Sequence, residues 1–507
     1  MQIEKDKNTG KCILFLAVLT VILMVPMLMI KNDGDTYHLL RSGRDIWETR
    51  SVPVLNTHFA YEGLGIVLQQ WLYALILYVF YRTAGVFGMQ VLLLIEVFLF
   101  GLAVWKIGRL RKAGPVQMMV AGIITALCCM PFMTPRPYMI TAVMLMWQYY
   151  IQEKAFVHGD RKALLFLPVL FITAVNMHGA LWPYHAGMFL LFMIPGIPPF
   201  GKTGMFEIPE RTVRAGDIGI FVISLGAMLV NPYGIDMVLY VFRAMAGGVG
   251  NISEIGISEL FPIRFMDVNI LVPLAVITIL LVSAFTGKRD KPETRLTDVL
   301  LLTAGIILSG FSQRHCILSV CALPIAVCSP VFRDIIPAKK KTSFMPELYR
   351  EVVSKPAVVA LCVMIVSVAS SAVAYCRYEE MNSRVKPGMV IGEYLKKTGY
   401  EGNVYTMFEM GTCLEFLGYR VTSDSRPELL FETVNGVEDK SYALSVKEEN
   451  VSRVLTECGC GYAVTGATVL ENYFIMNDDW EKVDVPGLEE PYGLYRRKNT
   501  EEGAGNG

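Results

Sequence analysis

Charged residues are scarce in this sequence. Only 18% of its 507 residues are Asp, Glu, Lys or Arg, while 53% are hydrophobic, and the 46 basic and 46 acidic residues cancel. A chain this apolar does not fit an ordinary soluble domain. A net charge of zero also gives no sign of a nucleic-acid partner. We therefore expect a polytopic α-helical membrane protein.

The sequence also lacks several marks of other classes. Its eleven cysteines show neither metal-ligand nor disulfide spacing, and Cys458 and Cys460 are too close for an easy bridge, so we predict no essential disulfide. The apolar run at 12–30 is long and no small-residue cleavage site follows it, which favours an uncleaved anchor over a signal peptide. No glycine-rich phosphate loop opens a helix in the C-terminal part.

Long apolar runs dominate the first three quarters of the chain. Besides 12–30, we predict spans near 86–105, 115–133, 138–151, 163–177, 181–195, 216–231, 269–286, 297–312, 315–332 and 356–375, which gives about 11 transmembrane helices. The segment Gln69–Gly85 is short and begins with two glutamines, so we predict an interfacial helix.

The basic residues set the orientation. With Gln69–Gly85 in the interface, the basic loops, including Lys339-Lys340-Lys341, share the side of the N-terminus. The positive-inside rule makes that side cytoplasmic. We therefore predict a multi-pass protein of the plasma (cytoplasmic) membrane with an extracytoplasmic C-terminus.

Hydrophobicity falls from residue 376 onward. Short strands are expected at Val404–Met407, Arg420–Ser423, Tyr462–Thr465 and Tyr492–Tyr495, with helices between them, which indicates a small extracytoplasmic α/β domain. The predicted domains are a membrane part at 1–375, a soluble domain at 376–500 and a disordered tail at 501–507.

Polar residues cluster where helices leave the predicted outer face. Asp33 and Asp35 follow the first run, with His38 close behind, and a carboxylate at mid-membrane would cost about 2.5–3.5 kcal/mol. The same face receives Arg136-Pro137, Asn176 to Gly179, Asn231 to Gly234, Ile257 to Leu260 and Arg314-His315. Isolated cations beside the membrane suit a lipid-linked phosphate, and a carboxylate suits an acceptor hydroxyl.

Each of these features also has a structural explanation. The two aspartates suit a solvated loop, and Asn231-Pro232-Tyr233-Gly234 suits a turn at a helix end. Arg136 could extend to lipid headgroups. A single histidine such as His178 or His315 is more often a hydrogen-bonded structural residue than a ligand.

The order of these motifs resembles the GT-C superfamily of membrane glycosyltransferases, which use polyprenyl-phosphate-linked sugars, and within it a prokaryotic branch. The resemblance covers most of the membrane part, and Gly411 and Asp424-Ser425-Arg426 extend it into the C-terminal part. The motifs are Asp33 to His38, Gly43-Arg44, Trp71-Leu72, Arg136-Pro137, Asn176 to Gly179, Asn231 to Gly234, Ile257 to Leu260 and Arg314-His315. Two departures are Leu260, where Trp is common, and Gln69-Gln70, where an acidic residue is common.

The resemblance implies an inverting glycosyltransferase with a carboxylate base, Asp33 or Asp35. It implies substrate-binding roles for His38, Arg44, Glu62, Arg136, His178, Glu259, Arg314 and His315. The donor would be a polyprenyl-phosphate sugar, and the acceptor a glycan, lipid or protein. Metal dependence stays open, because a divalent cation could bridge the paired aspartates although some relatives work without one.

Two other functions stay open at this point. One is a non-catalytic transporter or flippase of lipid-linked saccharides, which would need polar groups at mid-membrane, where Glu96 is the main acid. The other is an envelope-assembly scaffold with a degenerate GT-C core.

Overall fold

The computed structural model describes residues 34–196, 205–207, 213–246, 261–287, 293–335, 385–407, 409–466 and 468–498. The chain divides into two compact units. Unit 1 contains 86–234 and 257–375 together with the N-terminal 1–30, and unit 2 contains 31–85, 235–256 and 376–507. The predicted division at residue 375 stays a prediction, but the first polar loop packs with the C-terminal part.

Unit 1 is a bundle of apolar helices. Its helices in the described residues are α2 (Trp71–Leu110, from Val86 on), α3 (Pro115–Cys129), α4 (Tyr138–Phe156), α5 (Leu167–Met177), α6 (Trp182–Met193), α7 (Ala215–Ala227), α9 (Val268–Thr286), α10 (Leu296–Ser309), α11 (Cys316–Val327) and α12 (Pro330–Ile335). Every residue of α11 is buried, and this helix packs against α3, α4, α9 and α10.

The apolar helices coincide with nine of the predicted spans, and the spans at 12–30 and 356–375 lie outside the described residues. By length and composition, two described helices could cross a bilayer. They are α2 and α9, in which the mean hydropathy of an 18-residue window is 2.2 and 2.5. The others are shorter or, like the 19-residue α4, less apolar, so the predicted number of about eleven spans is not established.

Helix α2 is interrupted where the sequence passes from unit 2 to unit 1. Ala84 and Gly85 have non-helical backbone angles, and Gly85 has φ 58° and ψ −140°. That region is open to glycine and costly for other residues. The segment Gln69–Gly85 is therefore a separate helical piece, as expected, and its placement in the interface stays a prediction.

Unit 2 combines three helical segments from the earlier chain with the C-terminal part. They are α1 (Gly34–Thr49), the start of α2 and α8 (Ile235–Ala246). The C-terminal elements are α13 (Lys386–Lys397), β1 (Val404–Tyr405), α14 (Glu409–Leu417), α15 (Glu432–Asn435), α16 (Glu448–Cys458), β2 (Tyr462–Thr465), α17 (Thr468–Met476), β3 (Trp480–Val483) and β4 (Gly493–Arg497).

The sheet of unit 2 is mixed, with the order β1-β2-β4-β3. Strand β1 runs parallel to β2, and β4 is antiparallel to both β2 and β3. Val404 bridges Val421, which in turn bridges Phe59 of the first loop. The loop therefore extends one edge of the sheet, and the α/β character predicted for the C-terminal part is found.

Candidate active site

Three of the predicted site residues lie together at helix ends in unit 1. Arg136 immediately precedes α4, His178 follows α5, and Arg314 precedes α11. The positive charges of Arg136 and Arg314 both act on the His178 imidazole. Arg136 also lies over the Tyr138 ring, 5.1 Å from its centroid. Motifs separated by more than 130 residues thus converge.

His178 is buried and held in a defined orientation. Its Nδ1 lies 2.8 Å from the Thr141 hydroxyl, which itself donates to the Pro137 carbonyl at 2.8 Å. Because a hydroxyl has one proton to donate, Nδ1 of His178 must be the donor in its bond to Thr141. Nε2 is then a hydrogen-bond acceptor, suited to a substrate hydroxyl.

His315 belongs to the same cluster. Its Nδ1 is hydrogen-bonded to the Tyr184 hydroxyl, and the two rings meet edge to face at 5.8 Å. The Arg314 charge acts on it directly. By contrast, His185 is bonded to Gln148 at 2.6 Å and buried beside Phe171, as a structural histidine would be.

The described aspartate of the first motif lies in unit 2. Asp35 is half-buried in the first turn of α1, which begins at Gly34. His38 is buried one turn later, and its Nδ1 lies 3.9 Å from Oδ1 of Asp35. The same Nδ1 lies 3.4 Å from the Ser425 hydroxyl.

A series of buried or half-buried titratable side chains, in contact with one another, extends from α1 into the C-terminal part. Asp45 bonds to Nε2 of His58 at 2.6 Å, and Nδ1 of His58 lies 3.8 Å from Glu415. Arg426 then joins Glu415, at 3.2 Å, to Asp424. Sequence reasoning noted the segment Asp424 to Arg426 but missed Asp45 and Glu415, which no local spacing connects.

The environment shifts the protonation of these groups in different directions. Burial raises the pKa of Glu415, and the neighbouring Asp424 charge adds to that effect. For Asp424 burial also acts upward, but the Arg426 guanidinium outweighs it and lowers the pKa. Burial and the Arg426 charge lower the pKa of His58 despite its bond to Asp45. The two carboxyl groups beside Arg426 therefore have pKa values shifted in opposite directions.

Two other predicted substrate-binding residues have different surroundings. Arg44 donates from Nη2 to the Phe416 carbonyl at 2.8 Å and lies over that ring, so it holds α1 to α14. Glu62 has a 90% exposed side chain, 3.9 Å from Arg420, and is not part of the series that extends from α1.

Asp33 and Glu259 lie outside the described residues, so their predicted roles stay predictions. Within the described part of the chain, no group of three or more His, Cys, Asp or Glu side chains is arranged to hold a metal ion. A cation bridging Asp33 and Asp35 likewise stays a prediction.

A second charged network, which the sequence did not reveal, lies in unit 1. Arg111 donates to Glu153 at 2.9 Å and to Asp298 at 2.6 Å, and Arg295 donates to Glu153 at 2.6 Å. Arg111 follows the last residue of α2 and is buried. The sequence offered one sign of this network, because Glu153 and Asp298 are acidic residues within otherwise apolar helices.

The fold and the two groups of residues can now be compared with known proteins. No protein-family model matches the chain, and a search of curated proteins found no match. Among solved structures, the Archaeoglobus fulgidus oligosaccharyltransferase tethered to an acceptor peptide is 14% identical, with a TM-score of 0.51 over 89% of this chain and 68% of that one. AglB from the same organism, in complex with an inhibitory peptide and a dolichol-phosphate, is 12% identical with a TM-score of 0.52 over the same shares.

Apo ArnT from Cupriavidus metallidurans is 15% identical, with a TM-score of 0.53 over 96% of this chain and 98% of that one. These neighbours are polytopic membrane proteins with a C-terminal soluble domain, and the chain shares their fold. More particularly, that fold is the one of the GT-C superfamily, which the motifs of the sequence resemble.

Proposed function

We propose that this protein is an integral membrane glycosyltransferase that transfers a sugar from a polyprenyl-phosphate donor to an extracytoplasmic acceptor. The observation that carries the proposal is the convergence of Arg136, His178 and Arg314 at helix ends in a chain with the GT-C fold. A single arginine beside a membrane is common. Two arginines whose positive charges both act on one buried, oriented histidine form a site for an anion.

The unit 1 cluster acts on the donor. A guanidinium binds phosphate oxygens through paired charge-assisted hydrogen bonds, and these strengthen as negative charge develops on the leaving phosphate. Arg136 and Arg314 supply this charge, and His315 adds a further polar group. His178 accepts a sugar hydroxyl at Nε2, which orients the sugar.

An aspartate of the first motif acts on the acceptor. The acceptor oxygen attacks the anomeric carbon, the bond from that carbon to the phosphate oxygen breaks, and the hydroxyl proton passes to Asp33 or Asp35. Polyprenyl phosphate leaves, and the configuration at the anomeric carbon inverts. A general base of this kind contributes about 10²–10⁴-fold to the rate.

The structural neighbours support this donor class. The AglB structure holds a dolichol-phosphate, and the related oligosaccharyltransferase structure holds an acceptor peptide. For the present chain we propose a polyprenyl-phosphate sugar as the donor and a glycan, lipid or protein as the acceptor.

A test would use purified full-length protein and a panel of synthetic undecaprenyl-phosphate hexoses, with release of free undecaprenyl phosphate as the readout. We expect Arg314→Ala to lower kcat/KM about 10- to 100-fold, since hydrogen bonds to charged groups contribute roughly 1.5–3 kcal/mol.

Arg109→Ala is the matched control, because Arg109 is exposed at the last turn of α2, beside Trp105. Its turnover should equal that of the wild type. A transporter or scaffold would release no undecaprenyl phosphate, so the absence of release from every donor would contradict the proposal.

A further inference from the structure

Helix α1, which carries Asp35, is hydrogen-bonded to the C-terminal part through two arginine side chains. Arg41 donates from Nη1 to the Glu415 carbonyl at 3.1 Å, and Arg44 donates to the Phe416 carbonyl at 2.8 Å. Both carbonyls belong to the last turn of α14, where intrahelical donors are missing and cations complement the helix dipole. The two arginines of α1 therefore cap a helix whose sequence lies more than 370 residues away.

The segment that follows α14 reaches the polar face of α1. Arg426 holds the Asp424 carboxylate through its side chain and through its backbone N–H at 2.7 Å, which fixes the turn between them. Ser425 lies between these two residues, and its hydroxyl is 3.4 Å from Nδ1 of His38. The Asp424 charge also acts on His38.

His38 links this segment to Asp35, one of the two aspartates proposed to act on the acceptor. It is 6% exposed, and Oδ1 of Asp35 lies 3.9 Å from its Nδ1, one helical turn away. A carboxylate that accepts a proton must be within about 2.6–3.2 Å of the reacting hydroxyl, so its orientation affects the rate directly.

We propose that Ser425 of the C-terminal part is a positioning residue for the acid site. Its hydroxyl oxygen accepts the Nδ1–H of the His38 imidazole and so fixes the angle of the ring, whose Nδ1–H edge faces the Asp35 carboxylate 3.9 Å away and orients it toward the acceptor hydroxyl. The role rests on the proposed function, because it assumes that Asp35 works on the acceptor. It also gives the C-terminal part a direct role in the reaction.

The test compares Ser425→Ala with Ser423→Ala in full-length protein, on the same donor panel. Ser423 is the matched control: it is buried in the same segment, but its hydroxyl donates to the Thr406 carbonyl at 2.9 Å. We expect Ser425→Ala to lower kcat about tenfold with KM for the donor unchanged, the loss expected for one hydrogen bond. Ser425→Thr, which keeps a hydroxyl, should retain activity, and Ser423→Ala should leave kcat unchanged.

A double-mutant cycle separates positioning from general stability. If Ser425 acts through His38, adding Ser425→Ala to His38→Gln should cause no further loss of kcat. Additive losses, a wild-type kcat for Ser425→Ala, or equal losses for the two serine variants would overturn the proposal.

A second readout does not depend on turnover. In protein carrying ¹³C-labelled histidine, the His38 ring resonance, assigned with His38→Gln, should move in Ser425→Ala and not in Ser423→Ala. An unmoved resonance would overturn the proposal even if activity fell. No turnover by the wild type on any donor would overturn the proposed function and the positioning role with it, while a moved resonance would still report the contact.

Discussion

At the scale of single residues, the two aspartates of the first motif should behave differently on substitution. We expect Asp33→Asn to abolish transfer while leaving the protein folded and inserted. We expect Asp35→Asn to lower activity and to reduce stability by only about 0.3–1 kcal/mol, because Asp35 lies in the first turn of α1, where a carboxylate favours the helix dipole, and not at its N-cap. Turnover assays and thermal unfolding of the two variants check this. Wild-type turnover in a folded Asp33→Asn protein would exclude Asp33 as the base.

His58 should make stability depend on pH. Burial lowers its pKa from the ordinary 6.5, so between the folded value and 6.5 the unfolded chain binds more protons. Stability should therefore rise with pH across this window and reach its full value above 6.5.

His58→Gln should remove the contribution of His58 to that slope, because an amide can still donate to Asp45 but does not titrate. The raised pKa of Glu415 acts in the opposite direction and does so in both proteins. Melting temperatures from about pH 5 to about pH 8 measure the slope. Asp45 does not interfere, because its pKa is lowered from 3.8 and it titrates below the window. Parallel curves for wild type and variant would contradict the assignment.

Whether a site residue could be predicted depends on whether it interrupts a local pattern in the sequence. Arg136, His178 and Arg314 stand out because each interrupts an apolar pattern at a helix end, and the structure brings them together. Asp45 and Glu415 could not be linked in this way. They are linked only through His58, whose contact with Glu415 joins positions more than 350 residues apart, and a charged residue in a polar segment has no distinguishing local pattern.

At the scale of elements, Gly411 sets how closely α14 approaches the segment after it. A Cβ at Gly411 would lie 1.9 Å from the Ser423 carbonyl oxygen, which is backbone and cannot rotate away. We expect Gly411→Ala to lower stability by about 1–3 kcal/mol, the usual cost of overpacking.

Gly219→Ala in α7 is the control, since nothing lies within 4 Å of a Cβ at that position. Alanine also favours the helix by about 0.8–1.0 kcal/mol. Thermal unfolding should therefore place Gly411→Ala below the wild type and Gly219→Ala level with it or above it. Equal melting temperatures for the two variants would show that Gly411 is not required for the close approach.

Element positions followed from periodicity where burial and local pattern agree. Strand β2 has the predicted bounds, Tyr462–Thr465. Arg420–Ser423, predicted as a strand, forms only single bridges at Val421, to Val404 and to Phe59. Strand β3 was missed, since Trp480–Val483 contains a glutamate and a lysine and pairs on one side only, with β4.

At the scale of the whole molecule, the sequence predicted membrane spans followed by an α/β domain, and the GT-C fold has both parts. It did not indicate that 31–85 packs with the C-terminal part. The physical reason is that the attachment uses single side chains and bridges, such as Arg44 to Phe416 and Phe59 to Val421. Such contacts leave no periodic signal, so a domain boundary drawn from hydropathy assigns the loop to the spans beside it.

Orientation in the membrane is the last prediction, and it rests on charge. The positive-inside rule places Lys339-Lys340-Lys341, which lie outside the described residues, in the cytoplasm. With the predicted odd number of spans, the C-terminal part is then extracytoplasmic.

Single cysteines at Lys340 and Asn472, in a cysteine-free background, test this in intact cells with a membrane-impermeant maleimide. Asn472 suits the purpose because it is exposed on α17. We expect labelling at 472 without permeabilisation, and at 340 only after it. Labelling of 340 from outside would reverse the orientation and put the C-terminal part, with His38, Ser425 and the proposed acceptor site, in the cytoplasm.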